Sequence, residues 1–192
     1  WRKTDAVDSW SWKGQEGKPC VIDVFSNGDV VELIQDGVSL GKKPVEEFCA
    51  SFETTYRPGR LEAVSYRFGR VYGRDVLATA SEERALTMKP ETTELNADGM
   101  DLCYIPVILG DRNGTPVMLE DKRVTVTVDG PAELIAVGSG AIETEEVFFG
   151  NSYSTFHGRM LAVLRAGREP GTVTVTAAAD GLEPVSTTIE VK

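Results

Sequence analysis

The chain has 192 residues, of which 41% are hydrophobic and 26% are charged, and these values argue against wholesale disorder. Its formal net charge of −10 disfavours nucleic acid and anionic membrane surfaces as partners, because both require a basic footprint. No apolar run reaches the roughly 18 residues of a membrane-spanning helix. The sequence begins at Trp1 rather than Met, and we expect it to be a piece of a longer protein.

Short alternating runs in the first half of the chain predict β-strands. These runs are Cys20–Val24, Val31–Gln35, Val38–Gly41 and Phe48–Glu53. Apolar and polar residues alternate along them, which is typical of strands that bury one face. The pair Asp36-Gly37 predicts a type I′ hairpin turn, because both of its residues tolerate a positive φ. The longest helix-compatible window, Lys43 to Cys49, is short.

A polar stretch over residues 75–92 predicts a boundary near residue 84. After it, alternating runs resume at Val124–Val128 and Val173–Ala177, separated by turn-forming pairs such as Asp129-Gly130. Many short strands with regular turns indicate a sandwich or a barrel. The sequence therefore predicts an all-β fold of two tandem immunoglobulin-like β-sandwich domains, residues 1–84 and residues 85–192.

The titratable residues form no recognisable catalytic set, so the sequence predicts no catalytic residue and no cofactor. His157 is the single histidine, it lies in the strand-like run Ser154–Leu164, and no G-x-S-x-G motif accompanies it. The adjacent acidic pairs are Glu46-Glu47, Glu82-Glu83 and Glu145-Glu146. Neighbours on a strand point to opposite faces, so such pairs are poor acid–base couples.

The sequence contains only weak indications of a metal site or a disulfide bond. Asp111–Gly114 resembles the start of a calcium loop, but Thr115-Pro116 follows it, so a hairpin turn is favoured. A weak calcium site at Asp98, Asp101 or Asp111 stays open, although we predict no metal. The cysteines are Cys20, Cys49 and Cys103; their odd count and wide spacing favour core packing of Cys20 and Cys103 over a Cys20–Cys49 bridge.

The aromatic residues Trp1, Trp10, Trp12 and Tyr153 are the candidates for a carbohydrate-binding surface. Aromatic faces can stack on sugar rings, so carbohydrate is a candidate partner. The competing interpretation is that Trp10 and Trp12 close the core of the first sandwich, because large aromatic side chains contribute burial first.

Several motifs occur in an order that resembles glycoside hydrolase family 2, especially its β-galactosidases. In the first half these are Trp10-Ser11-Trp12, Val21–Asn27, Val31–Leu33, Asp36–Gly41 and Tyr56–Val64. In the second half they are Leu95–Asp101, Asp111–Gly114, Phe156–Val163 and Ala179–Leu182. Asp36 and Ser139 depart from the family pattern, which usually has Asn at both positions.

The resemblance implies that this chain is a non-catalytic accessory region of a bacterial carbohydrate hydrolase. The family's catalytic glutamates lie in a (β/α)₈ barrel, which takes about 250 residues and cannot fit here. The implied partner is that barrel, in the same parent chain, and a secreted or periplasmic parent is the accompanying expectation. Two alternatives remain: a carbohydrate-binding module, and an immunoglobulin-like segment of a bacterial surface adhesin.

Overall fold

The computed structural model describes residues 6–192, which form strands, turns and loops. No membrane-crossing helix occurs among these residues. The chain separates into two compact units, Trp1–Thr79 and Ala80–Lys192. The boundary that we placed near residue 84 from the sequence falls inside the second unit.

The first unit is a sandwich of a two-stranded sheet and a four-stranded sheet. Its strands are β1 (Pro19–Phe25), β2 (Val30–Gln35), β3 (Val38–Pro44), β4 (Cys49–Thr55), β5 (Arg60–Arg67) and β6 (Arg70–Ala78). β1 pairs with β4, and the second sheet has the order β3-β2-β5-β6. Val31 and Leu33 on β2 and Phe52 on β4 are buried between the sheets, as their alternation predicts.

The hairpin turn between β2 and β3 confirms the sequence prediction. Asp36 and Gly37 have φ values of 48° and 82°, as a type I′ turn requires. The Asp36 carboxylate accepts a hydrogen bond from the Arg60 backbone N–H at 2.7 Å. A Cβ at Gly59 would collide with this carboxylate, so the glycine allows the Asp36-Gly37 turn to approach the start of β5.

The second unit is a larger sandwich of a five-stranded and a four-stranded sheet. Its strands are β7 (Ala85–Met88), β8 (Glu94–Leu95), β9 (Leu102–Gly110), β10 (Arg123–Asp129), β11 (Ala132–Gly138), β12 (Ser152–Ser154), β13 (Arg159–Ala166), β14 (Gly171–Ala179) and β15 (Val185–Val191). The sheet orders are β12-β10-β14-β15-β8 and β11-β13-β9-β7. Its core is largely aliphatic, and the alternating residues Val124, Val126 and Val173 are fully buried in it. The predicted all-β sandwich fold is therefore confirmed.

Some local predictions were wrong. His157 lies in the turn between β12 and β13, with a φ of 51°, rather than within a strand. Phe48 precedes β4 instead of alternating along it, and residues 75–78, the start of the polar stretch, belong to β6. All three cysteines are free, so the Cys20–Cys49 bridge is excluded. β1 and β4 pair Cys20 with Thr54 and Cys49 with Phe25, at opposite ends of the ladder.

Candidate functional site

The two described tryptophans form a clasp across the edge of the first unit. Trp10 is buried, and its ring meets Tyr56 edge-on, with the ring centroids 4.9 Å apart and an interplanar angle of 72°. The Trp10 indole N–H donates to the Arg57 carbonyl at 3.0 Å. This geometry satisfies both the apolar body and the polar edge of the indole inside the protein.

Tyr56 ties the two tryptophans together through its hydroxyl. Its oxygen accepts from the Trp12 backbone N–H at 3.0 Å and donates to the Trp10 carbonyl at 3.3 Å. The Thr79 hydroxyl also donates to the Trp10 carbonyl, at 2.6 Å. The W-x-W motif thus connects the segment before β1 to the end of β6.

A cleft of about 740 Å³ opens beside this clasp, between β1 and the strands β5 and β6. Its apolar wall includes Ile22, Ala63 and Leu77, and its polar groups include Lys18 and Asp75. Trp10 and Trp12 both line the cleft, and the half-buried Trp12 is the more exposed of the two. The volume is within the usual range for small-molecule sites. Partial burial raises the pKa of the Cys20 thiol, another lining residue.

Tyr153 is not among the residues that line this cleft. Tyr153 belongs to the second unit, is completely buried, and stacks on Phe148 with centroids 5.7 Å apart. Its hydroxyl has no hydrogen-bond partner within residues 6–192. Trp1 lies outside the described residues. Sugar binding therefore stays a prediction, and Trp12 is the more exposed of the two predicted tryptophans that line the cleft.

The side chains that resemble acid–base groups are engaged in structural contacts. The His157 ring nitrogen Nδ1 lies 2.9 Å from the Met118 carbonyl, which fixes the ring in its turn. Glu83 forms an ion pair with Arg112 at 2.6 Å, and this hydrogen bond lowers the pKa of the Glu83 carboxyl. Glu146 binds the Ser154 backbone instead of facing Glu145.

Asp111 organises a turn and does not present its oxygens to a cation. Oδ1 accepts from the backbone N–H groups of Asn113 and Thr115, at 2.9 and 3.0 Å, and Oδ2 accepts from Ser81 at 3.0 Å. Burial disfavours the charged form, but these donors together outweigh it and lower the pKa of the carboxyl. The hairpin interpretation is confirmed, and residues 6–192 contain no grouping of metal-binding side chains.

Sequence reasoning missed a prominent surface on the second unit. Residues 139–151, here called the acidic loop, connect β11 to β12 without any strand or helix. The loop contains Glu143, Glu145 and Glu146 and has no Lys or Arg. Large exposed apolar side chains project from it: Ile142, Val147 and Phe149. The apolar run Val147-Phe148-Phe149 within an otherwise polar stretch was the sequence feature that could have indicated this surface.

Comparisons with known proteins agree with this architecture. Residues 86–188 match the model of glycoside hydrolase family 2 C-terminal domain 5, and residues 17–73 match a domain of unknown function, DUF4982. A glycosyl hydrolase family 2 member of Bacteroides cellulosilyticus is 35% identical, with a TM-score of 0.89, over 97% of this chain and 24% of that chain. A beta-glycosidase of Bacteroides vulgatus is 25% identical, with a TM-score of 0.90, over 96% of this chain and 24% of its own.

The fold and the matched segments define the class: a tandem of non-barrel β-sandwich units of a carbohydrate-active protein family. The chain belongs to glycoside hydrolase family 2, whose C-terminal domain 5 it contains. A curated relative, a beta-galactosidase of Bacteroides ovatus, is 28% identical over 179 residues. That match takes up 90% of this chain but 20% of the relative, so the chain spans about a fifth of that protein's length.

Proposed function

We propose that this chain is the non-catalytic C-terminal region of a family 2 glycoside hydrolase and that it supports a catalytic barrel in the same polypeptide. The observation that carries the proposal is the coverage of the structural match: 97% of this chain aligns with 24% of a family 2 member. β-Galactosides are the proposed substrates of the parent, because a relative with that activity in its name covers most of the chain.

The engaged side chains support a structural role for these two units. A glycosidase needs two carboxyl groups that face each other across a bond, one of them free to act as an acid. In this chain the Asp111 carboxylate is occupied by backbone donors, and Glu62 is held by Arg60 and Arg74. Their oxygens serve the fold rather than a substrate.

The test compares this chain with the full-length parent on chromogenic β-galactosides. The chain alone should give no turnover, whereas the full-length enzyme should be active. Removing residues 1–192 from the parent should shorten the half-life of activity at elevated temperature. Hydrolysis that co-purifies with the isolated chain would contradict the proposal, and so would a truncated parent with full activity and an unchanged half-life.

Carbohydrate binding in the first unit is a second candidate function. It is favoured by the ligand-sized cleft and by the half-buried Trp12 on its wall. Calorimetric titration with galacto-oligosaccharides should show saturable heat that Trp12→Ala abolishes. Phe68→Ala is the matched control, because this exposed aromatic residue is not among those that line the cleft. Heat that persists in Trp12→Ala would place the binding elsewhere.

A further inference from the structure

The acidic loop is held in a defined shape by contacts with its own unit. The Glu146 carboxylate accepts from the Ser154 backbone N–H at 3.1 Å and pairs with Arg123 at 3.1 Å. The Phe148 carbonyl accepts from the Val137 N–H at 3.0 Å. These bonds fix the second half of the loop against β11 and β12.

Phe148 is the apolar anchor of the acidic loop. Its ring is parallel to the buried Tyr153, with an interplanar angle of 8°. It also packs over Gly138, where an added Cβ would lie 2.8 Å from the ring, so the glycine makes room for the aromatic side chain. These contacts hold the segment around Phe148 against its own unit.

The neighbouring side chains point away from this anchor into solvent. Ile142 is 97% exposed, Phe149 is 80% exposed and Val147 is 60% exposed. Loops of about 12 residues or more without secondary structure are uncommon and often functional. Val147 and Phe149 flank the held Phe148, so these two exposed groups are suited to docking, because little conformational entropy is lost there on contact.

We propose that the acidic loop docks into the remainder of the parent polypeptide, in an apolar groove with a basic rim. Ile142, Val147 and Phe149 enter the groove, and the exposed Glu143 and Glu145 face the basic rim. This inference rests on the proposed function.

The length of a relative is the reason for choosing the parent polypeptide as the binding partner of the loop. The beta-galactosidase of Bacteroides ovatus is about five times longer than the part that matches this chain, so a large partner surface is available within one polypeptide. The charge pattern defines the chemistry of that surface, because the exposed carboxylates of Glu143 and Glu145, in a loop without Lys or Arg, complement a basic rim. An apolar centre with a charged rim is the usual anatomy of an interface.

Hydroxyl-radical footprinting of the wild-type protein tests the contact directly. In the isolated chain, Phe149 and Ile142 should be oxidised rapidly. In the full-length parent their oxidation rates should fall at least about tenfold. Met100, which is 76% exposed in the same unit, is the internal control and should react at a similar rate in both. Unchanged rates at the loop would overturn the proposal, and protection in the isolated chain that grows with concentration would assign the loop to a second copy.

Substitutions in the full-length enzyme provide an independent readout. Phe149→Ser and the double charge reversal Glu143→Lys with Glu145→Lys should each shorten the half-life at an inactivating temperature, whereas Met100→Ser should not. The same changes should leave the unfolding midpoint of the isolated chain within a degree or two, because these side chains are exposed there. Loop variants that behave like Met100→Ser in the full-length enzyme would overturn the docking proposal.

The two proposals fail in different ways. If deletion of residues 1–192 leaves the parent's activity and thermal half-life intact, the supporting role itself is wrong. The deletion could instead shorten the half-life while the loop variants and the oxidation rates of the loop show no change. The supporting role would then stand, and the docking surface would not be the acidic loop.

Discussion

Tyr56 shows how one hydroxyl group can hold a sequence motif together. Its oxygen bonds to the backbones of Trp12 and Trp10, and its ring packs edge-on against the Trp10 indole. Tyr56 is buried, so loss of its hydroxyl would leave the Trp12 backbone N–H without that acceptor, whereas the Trp10 carbonyl would keep the Thr79 hydroxyl.

Tyr56→Phe should therefore lower the free energy of unfolding of the first unit by about 1–3 kcal/mol. Tyr72→Phe is the matched control. Tyr72 is half exposed, so water can replace its hydroxyl as the acceptor of the Asn27 side-chain hydrogen bond. Urea denaturation of both variants measures the difference. Equal midpoints for the two variants would mean that the Tyr56 hydroxyl does not hold the clasp.

Asp111 carries a pH dependence whose sign follows from its lowered pKa. The folded state binds a proton less readily than the unfolded chain, whose aspartates titrate near pH 3.9. The stabilisation is therefore complete above about pH 4 and is lost as the pH falls through the lower, folded pKa.

Asp111→Asn should destabilise the second unit at neutral pH by about 1–3 kcal/mol, because its amide N–H₂ would face the Ser81 N–H donor. The variant should also lose less stability than the wild type on acidification below pH 4. Denaturant titrations at pH 7, 4 and 3 measure both effects. An identical acid-induced loss in the two proteins would contradict the role assigned to Asp111.

At the scale of elements, two hairpin turns of the first unit place phenylalanine in the left-handed region. Glu47 and Phe48, between β3 and β4, have φ values of 49° and 66°, and Phe68, between β5 and β6, has a φ of 51°. Both rings are exposed, Phe48 by 72% and Phe68 by 86%. The left-handed conformation costs non-glycine residues about 1–2 kcal/mol each, so the turn chemistry here is unfavourable.

Replacing the first of these turns should stabilise the first unit. The double change Glu47→Asn and Phe48→Gly supplies the residues that a type I′ turn prefers and should raise the free energy of unfolding by about 1–2 kcal/mol. Asp36→Asn is the control, because the Asp36-Gly37 turn already has suitable residues. A double variant that is no more stable than the wild type would show that the fold relieves the strain at these residues.

These elements also show what the sequence could predict. Alternation identified β2, β10 and β14, because a strand that buries one face must place apolar residues at every second position. Asp36-Gly37 identified a turn through its tolerance of positive φ. The turn at Glu47-Phe48 carries no such signal, since neither residue favours that conformation.

The candidate site was harder to predict than the strands. Phe148, Phe149 and Tyr153 are similar side chains in one segment, yet Tyr153 is buried and Phe149 is exposed. Which aromatic residue faces the core depends on where β12 begins. The preceding loop has no alternation of apolar and polar residues that would predict this starting point. Trp10 and Trp12 differ in burial, and that difference depends on Tyr56, which lies 44 residues after Trp12.

At the scale of the whole molecule, each unit has its own hydrophobic core. The core of the first unit includes Trp10, Leu33 and Phe52, and that of the second includes Ile105, Val126 and Leu164. Separate cores of this kind are the usual basis for independent folding.

Residues 80–192 expressed alone should therefore fold and unfold in a single cooperative transition. The fully buried side chains from both sheets, such as Val107 and Val175, supply the necessary apolar contacts. Differential scanning calorimetry should give a calorimetric enthalpy equal to the van't Hoff enthalpy. A broad transition without cooperativity would show that the second unit requires the first.

The W-x-W clasp has a practical consequence for following these transitions. The tryptophans of the sequence are Trp1, Trp10 and Trp12, so the second unit contains none and absorbs through Tyr104 and Tyr153. Indole emission excited at the red edge of the absorption band is thus an intrinsic optical reporter for the first unit alone. A red shift of that emission, compared with the far-ultraviolet dichroism of all strands, would reveal the order in which the two sandwiches melt without any attached dye.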